Sequence, residues 1–201
     1  SAETGEVEAY EALMRVDLPT LHTPTAVMKL AREENCLHEI ERITMFKASE
    51  AFLALGEKGI IQPNQLMFVN SIANQCLTEE EAAEFEERYS ALMPRTVIEI
   101  LEEEDMDLAA LERKKRFNNG SGVFALDDYG SGYNSEKCLL LLAPRYIKVD
   151  LSIIRDIDTD VDKQQLVLNL VDYAHKRGMK IVAEGLENAA ELKKVLELGV
   201  D

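Results

Sequence analysis

Phe124-Ala125-Leu126-Asp127-Asp128-Tyr129-Gly130-Ser131-Gly132-Tyr133 runs from an apolar segment into two adjacent carboxylates and then into a glycine-punctuated loop. Val123 to Leu126 are β-branched, aromatic or aliphatic, as in a strand buried on both faces, and polarity changes abruptly at Asp127. Side chains alternate across a strand, so neighbouring aspartates at its end serve two different positions only where the chain is about to turn. Gly130 and Gly132 permit that turn. Taken alone, the stretch also fits a strand-to-helix turn without chemistry. What favours a site is that carboxylates recur at the same place in other strands.

On the N-terminal side, Val7 to Met14 reads as a first strand, and Thr23-Pro24 opens a helix because proline is favoured in the first turn. Ile40 to Leu55 repeats apolar residues at helical spacing and stops near Gly56 and Gly59. His22 and His38 have no partner at metal-ligand spacing and read as surface or structural residues. Leu66 to Asn70 is a strand, Thr78-Glu79-Glu80-Glu81 a capping box that opens a helix, Thr96 to Ile100 a strand and Leu108 to Phe117 a helix. After the strand Val123 to Asp128, the pattern gives a helix over Ser135 to Leu142 and a strand from Tyr146 to Asp150. It continues with a helix over Leu166 to His175, a strand from Lys180 to Ala183 and a last helix over Ala189 to Leu198.

Six strands alternate with helices at intervals of roughly 25 to 35 residues, the size of a βαβ unit, which predicts an α/β fold with a parallel sheet and helical crossovers. A closed eightfold barrel typically takes about 250 residues. With 201 residues that enter a strand almost at once and stop where another would begin, the expectation is a barrel fragment. One substantial core, and hence one domain over residues 1–201, is expected from 46% hydrophobic content.

Lys plus Arg number 22 against 38 Asp plus Glu, a formal charge of −16, which argues against binding a nucleic-acid polymer. An anionic ligand would need local cations, and bound metal ions supply them. Cys36, Cys76 and Cys138 are odd in number and widely spaced, which predicts a reducing, cytoplasmic setting without disulfides or a zinc knuckle. No apolar run is long enough to span a bilayer and no signal peptide is visible, so membrane tethering would lie outside this chain.

Glu11, Asn70, Glu99, Asp127, Asp128, Lys148 and Glu184 all fall in or at the carboxyl-end half of a predicted strand. In a parallel barrel that is one face, where active sites are built from several strand ends. Carboxylates with one amide oxygen form a hard-oxygen set suited to Mg²⁺ or Mn²⁺. Two such ions about 4 Å apart could clamp a phosphodiester and activate water. Lys148 could then hold or help deprotonate that water, and Arg15 could bind a phosphate oxygen. The spacing predicts phosphoester hydrolysis without identifying the ester.

Glu11-Ala12-Leu13-Met14-Arg15, Asn70, Glu99-Ile100-Leu101-Glu102, Asp127-Asp128-Tyr129-Gly130-Ser131-Gly132-Tyr133, Lys148-Val149-Asp150 and Ala183-Glu184-Gly185-Leu186-Glu187 resemble, in order and spacing, the EAL-domain phosphodiesterases of bacterial cyclic di-GMP signalling. The resemblance implies a TIM-like barrel that linearises cyclic di-GMP to pGpG with two Mg²⁺ or Mn²⁺ ions. By position it implies Glu11, Asn70, Glu99 and Asp127 as ligands of one ion, and Asp127, Asp128 and Glu184 as ligands of the other, with Asp127 shared. Lys148 matches the lysine that positions the attacking water, and Glu184 also a general base. Glu102 matches a glutamate that steadies the loop Tyr129 to Ser135, which the family links to dimerisation. Glu187 matches a carboxylate standing behind the ligands, and Asp150 belongs to the same supporting set.

Leu101, Val16, Asn134 and Glu136 depart from the family's usual residues, and none removes a metal ligand. The family's Gln-Pro-Ile strand, expected before Ser1, and its Gln-Gly strand, expected after Asp201, are not in this sequence, so the fragment is expected to lack the first and last strands of the barrel. An attached diguanylate cyclase or sensor domain and a homodimer are family expectations. The alternative function is a catalytically silent receptor for cyclic di-GMP or a protein-interaction module.

Overall fold

The computed structural model describes residues 1, 4–16, 23–101, 107–117, 123–132 and 135–201. His22, Glu102, Tyr133 and Asn134 lie outside the described residues. Contacts divide the chain into two compact units, one of Ala9–Ile98 with Met106–Gly122 and the other of Ser1–Glu8, Glu99–Asp105 and Val123–Asp201.

The first unit holds β1 (Ala9–Ala12), α1 (Pro24–Glu33), α2 (Leu37–Glu57), β2 (Leu66–Asn70), α3 (Glu79–Tyr89), the opening half of β3 (Thr96–Leu101) and α4 (Leu108–Phe117). β1 and β2 pair in parallel from Ala9↔Leu66 to Ala12↔Val69, and β3 follows β2 in the sheet. The predicted first strand, Val7 to Met14, is longer than the four residues observed. Val7 at its start and Leu13 next to its end are 54% and 52% exposed, so neither adds a buried position to the strand. Thr23 caps α1 by accepting the Ala26 N–H, as the Thr-Pro signal predicts. The capping box at α3 is complete: Thr78 accepts the Glu81 N–H and Glu81 accepts the Thr78 N–H. Glu81 also pairs with His38 at 2.9 Å and Arg42 at 3.2 Å, so His38 has the structural role expected of it. Phe46, Phe85 and Tyr89 meet edge-on or tilted in the core, packed with Met45, Phe52, Ile61, Met67 and Leu92.

The second unit carries the closing half of β3, β4 (Val123–Tyr129), α5 (Ser135–Leu142), β5 (Tyr146–Val149), α6 (Leu151–Ile154), α7 (Val161–Lys176), β6 (Lys180–Ala183) and α8 (Ala189–Glu197). The strand order is β3-β4-β5-β6, and β4–β5 and β5–β6 are parallel. Leu126, Ile147, Val149 and Ile181 are fully buried, with Ile154, Val167, Ala174 and Val195 from the helices. α7 starts five residues before the predicted Leu166 because Asp160 caps it, accepting the Asp162 and Lys163 N–H groups. Its first turns, Val161-Asp162-Lys163-Gln164-Gln165, are too polar to register as periodic. α6 is a single turn capped by Asp150, too short for a periodicity to reveal. Among the described residues no helix is long and apolar enough to cross a membrane.

Gly130 has φ +99°, and a Cβ there would collide with Ile153 Cδ1; Gly185 has φ +68°, and a Cβ there would lie 2.6 Å from Leu151 Cβ. Gly178, at φ +71°, has no neighbour within 4 Å. All three face the left-handed penalty of about 1–2 kcal/mol on substitution by alanine, and only the first two add a clash. Urea unfolding should therefore show larger stability losses for Gly130→Ala and Gly185→Ala than for Gly178→Ala.

Burial of Glu81 works against its charge, but the Thr78 N–H, His38 and Arg42 outweigh it and hold the carboxyl below its usual range. A folded pKa below the unfolded one gives stability that is fully present above the unfolded value and lost as pH falls through the folded value. Between those pH values Glu81→Gln should show a shallower loss of stability on acidification than the parent, read from denaturation midpoints at stepped pH.

Candidate metal and phosphoester site

The strand positions expected for the seven residues hold. Glu11 is third of four in β1, Asn70 closes β2, Glu99 is fourth of six in β3, Lys148 third of four in β5, and Glu184 follows β6. Asp127 and Asp128 lie in a break of register. Leu126 pairs with Ile147 and Tyr129 with Val149, so two aspartates stand opposite the single residue Lys148. That two-against-one count is a β-bulge. Asp128 takes φ +55°, a left-handed conformation that aspartate tolerates better than most residues, and so breaks the strict alternation of side chains. Gly130, at φ +99°, makes the ensuing turn.

Across the bulge, Lys148 Nζ lies 2.6 Å from Glu99 Oε1, 2.9 Å from Asp127 Oδ1 and 2.9 Å from Glu184 Oε1. Lys148 is 4% exposed and Glu99 1%, so three carboxylates meet a buried ammonium. Burial disfavours its charge, but Glu99 and Asp127 outweigh burial and push its pKa above the ordinary lysine range. The residue is a fixed cation and hydrogen-bond donor.

Asp127, Asp128 and Glu184 each offer a carboxylate oxygen within 4.8 Å of the others. Burial, then Asp127, Glu184 and Asp150, push the Asp128 carboxyl up to about 6, against a smaller opposing pull from Lys148. One ammonium therefore leaves the carboxylates under-compensated. An oxygen-only donor set with excess negative charge fits a hard divalent cation.

Glu11 and Asn70 belong to the other unit, where Asn70 Nδ2 lies 3.5 Å from Glu11 Oε1. Arg15, in the same unit, is exposed and donates to the carbonyl of Met14 at 2.9 Å. Asp150 caps α6 by accepting the Ser152 N–H; burial works against its charge, but the hydrogen bonds from Ser152 and Leu151 hold its carboxyl below the usual range. Glu187 is exposed and forms an ion pair with Arg155. Glu102, the expected support of the loop after β4, is outside the described residues.

Sequence reasoning missed Glu191. This buried residue on α8 accepts the N–H of Asp156, which has φ +59°, and the N–H of Glu187, both at 2.9 Å, and so ties the segment after α6 to the one after β6. The spacing Asn188-x-x-Glu191 is a capping signal that could have drawn attention to it. The buried pair Glu41 and Lys114, 73 residues apart, left no local signal.

The family model described as "EAL domain" matches residues 1–201. The cyclic di-GMP phosphodiesterase PdeL of Escherichia coli K12 is 25% identical over 206 residues, which cover 99% of this chain and 56% of that protein. The probable cyclic di-GMP phosphodiesterase PdeG of the same organism is 25% identical over 195 residues, which cover 94% of this chain and 38% of that protein. The chain thus spans little more than half, or less, of these curated relatives. Among solved structures, an EAL domain protein from Listeria monocytogenes has TM-score 0.83 at 23% identity, covering all of this chain and 80% of that one. Klebsiella pneumoniae BlrP1 in its manganese and cyclic di-GMP complex has TM-score 0.79 at 22% identity, covering 99% of this chain and 50% of that one. These likenesses agree with the six-strand order in showing a TIM-like β/α fold.

Proposed function

The chain belongs to the EAL-domain family, and from that premise we propose that it acts as a metal-dependent phosphodiesterase that hydrolyses cyclic di-GMP to linear pGpG in bacterial second-messenger signalling. The observation that carries this reading is the bulge that sets Asp127 and Asp128 against Lys148, with Glu99 and Glu184 on the same ammonium. The phosphodiesterase names of PdeL and PdeG and the manganese and cyclic di-GMP complex of BlrP1 support it.

In this reading Glu11, Asn70, Glu99 and Asp127 hold one Mg²⁺ or Mn²⁺ ion, and Asp127, Asp128 and Glu184 hold the second. The two ions supply charge neutralisation on the phosphate and a lowered pKa for water. Lys148 donates a hydrogen bond that orients the attacking water, whose proton passes to Glu184 as its oxygen bonds to phosphorus. One ring phosphoester bond breaks, the departing oxygen takes a proton from solvent, and linear pGpG results. Arg15 binds a non-bridging phosphate oxygen, and Asp150 and Glu187 brace the segments after β5 and β6. The reaction is cytoplasmic. Homodimerisation, and a diguanylate cyclase or sensor attached to this domain, accompany the same reading.

Full-length protein incubated with cyclic di-GMP and Mg²⁺ should yield pGpG on chromatography. Tight binding of the dinucleotide with no pGpG would replace the enzyme by the silent receptor. Lys148→Ala, assayed in single turnover after its Mn²⁺-loaded fold has been verified, should lose about 10²-fold or more in rate, the scale of one preorganised hydrogen-bond donor. Its affinity for cyclic di-GMP should change much less.

Ca²⁺ takes longer bonds and more ligands than Mg²⁺, so it should inhibit where Mg²⁺ or Mn²⁺ supports turnover. Equal rates in Ca²⁺ and Mg²⁺ would count against the tight oxygen site.

A further inference from the structure

A second lysine is buried in the unit that carries Asn70. Lys114 of α4 is 4% exposed, and its Nζ lies 2.8 Å from Glu41 Oε1 and 2.6 Å from Ser71 Oγ. Ser71 Oγ donates to the same Glu41 oxygen at 2.5 Å, and the N–H of Ile72 donates to Glu41 Oε2 at 2.8 Å. Glu41, on α2, is 3% exposed and Ser71 8%. Both residues that follow Asn70 are thus anchored, Ser71 through its hydroxyl and Ile72 through its backbone, to charges brought in by two helices.

Stability alone is a poor reason for this arrangement. Desolvating an ion pair costs so much that apolar replacements of similar volume are often neutral or stabilising. Groups that hold a metal ligand in place, by contrast, typically change metal affinity 10- to 100-fold when lost. Resting on the reading that Asn70 is a metal ligand, we infer that Glu41, Ser71 and Lys114 are positioning residues that fix the strand end of β2 and so aim the Asn70 amide. The network works through Asn70 and touches neither ion nor substrate.

The test uses full-length protein, with Mn²⁺ binding followed by the free-ion electron paramagnetic resonance signal and stability by urea unfolding. Lys114→Met strands a buried carboxylate and should lower the unfolding midpoint. The double variant Glu41→Leu/Lys114→Met should recover the parent midpoint or exceed it, yet bind Mn²⁺ about 10-fold or more weakly. Asn70→Ala should weaken Mn²⁺ to a similar extent, and adding it to the double variant should cost little more, because the changes act on one ligand. If the double variant binds Mn²⁺ as the parent does while Asn70→Ala binds weakly, the inference is overturned and the metal reading stands. If Asn70→Ala binds as the parent does, the metal role of Asn70 fails and the inference with it. Should the double variant not fold, Ser71→Ala gives the same comparison without touching a charge: weakened Mn²⁺ binding at parent stability supports the inference, and unchanged binding overturns it.

Discussion

A single ammonium, Lys148 Nζ, held within 2.9 Å of carboxylates from three strands or strand ends, is the constraint on which the second unit depends. Glu99 is almost wholly buried, and an unpaired carboxylate there would cost several kcal/mol. Lys148 makes its burial tolerable. In doing so it sets the spacing of β3, β4 and the end of β6 around β5, because one Nζ reaches all three carboxylates only if those backbones lie at fixed distances. The compensation is incomplete, as the raised pKa of Asp128 records. The same residues that hold the strand ends together therefore also leave a negative field for a cation to fill.

The first unit solves a similar problem with different chemistry. Lys114 is matched to one carboxylate and one hydroxyl, and the remaining Glu41 oxygen takes a backbone N–H. This network contains one carboxylate for its one ammonium, whereas Lys148 faces three. That difference separates a brace from a site: both are buried and polar, but only the second invites a further positive charge.

Most of the sheet was legible because buried parallel strands leave continuous apolar runs. Leu66–Asn70 and Lys180–Ala183 match their predicted bounds, and the ligand-type residues were visible because each interrupts such a run near its end. What could not be read is what depends on distance in space. The bulge at Asp127 and Asp128 follows from pairing with β5, and no property of the two aspartates alone fixes which one turns left-handed. Glu41 and Lys114 read as ordinary surface charges on amphipathic helices until the fold buries both. The early start of α7 and the single turn of α6 were hidden because capping aspartates, and not apolar repeats, define them.

The bulge also limits how this chain can vary over evolutionary time. Helix surfaces and the loops joining them can gain or lose residues with little consequence. In β4, removing either aspartate would restore one-to-one pairing with β5 and keep Tyr129 beside Val149, but it would erase the bulge and with it the left-handed residue that lets two carboxylates stand opposite one lysine. Two residues opposite one is a count, not a composition. Substitution at either position keeps that count, whereas shortening by one residue abolishes it.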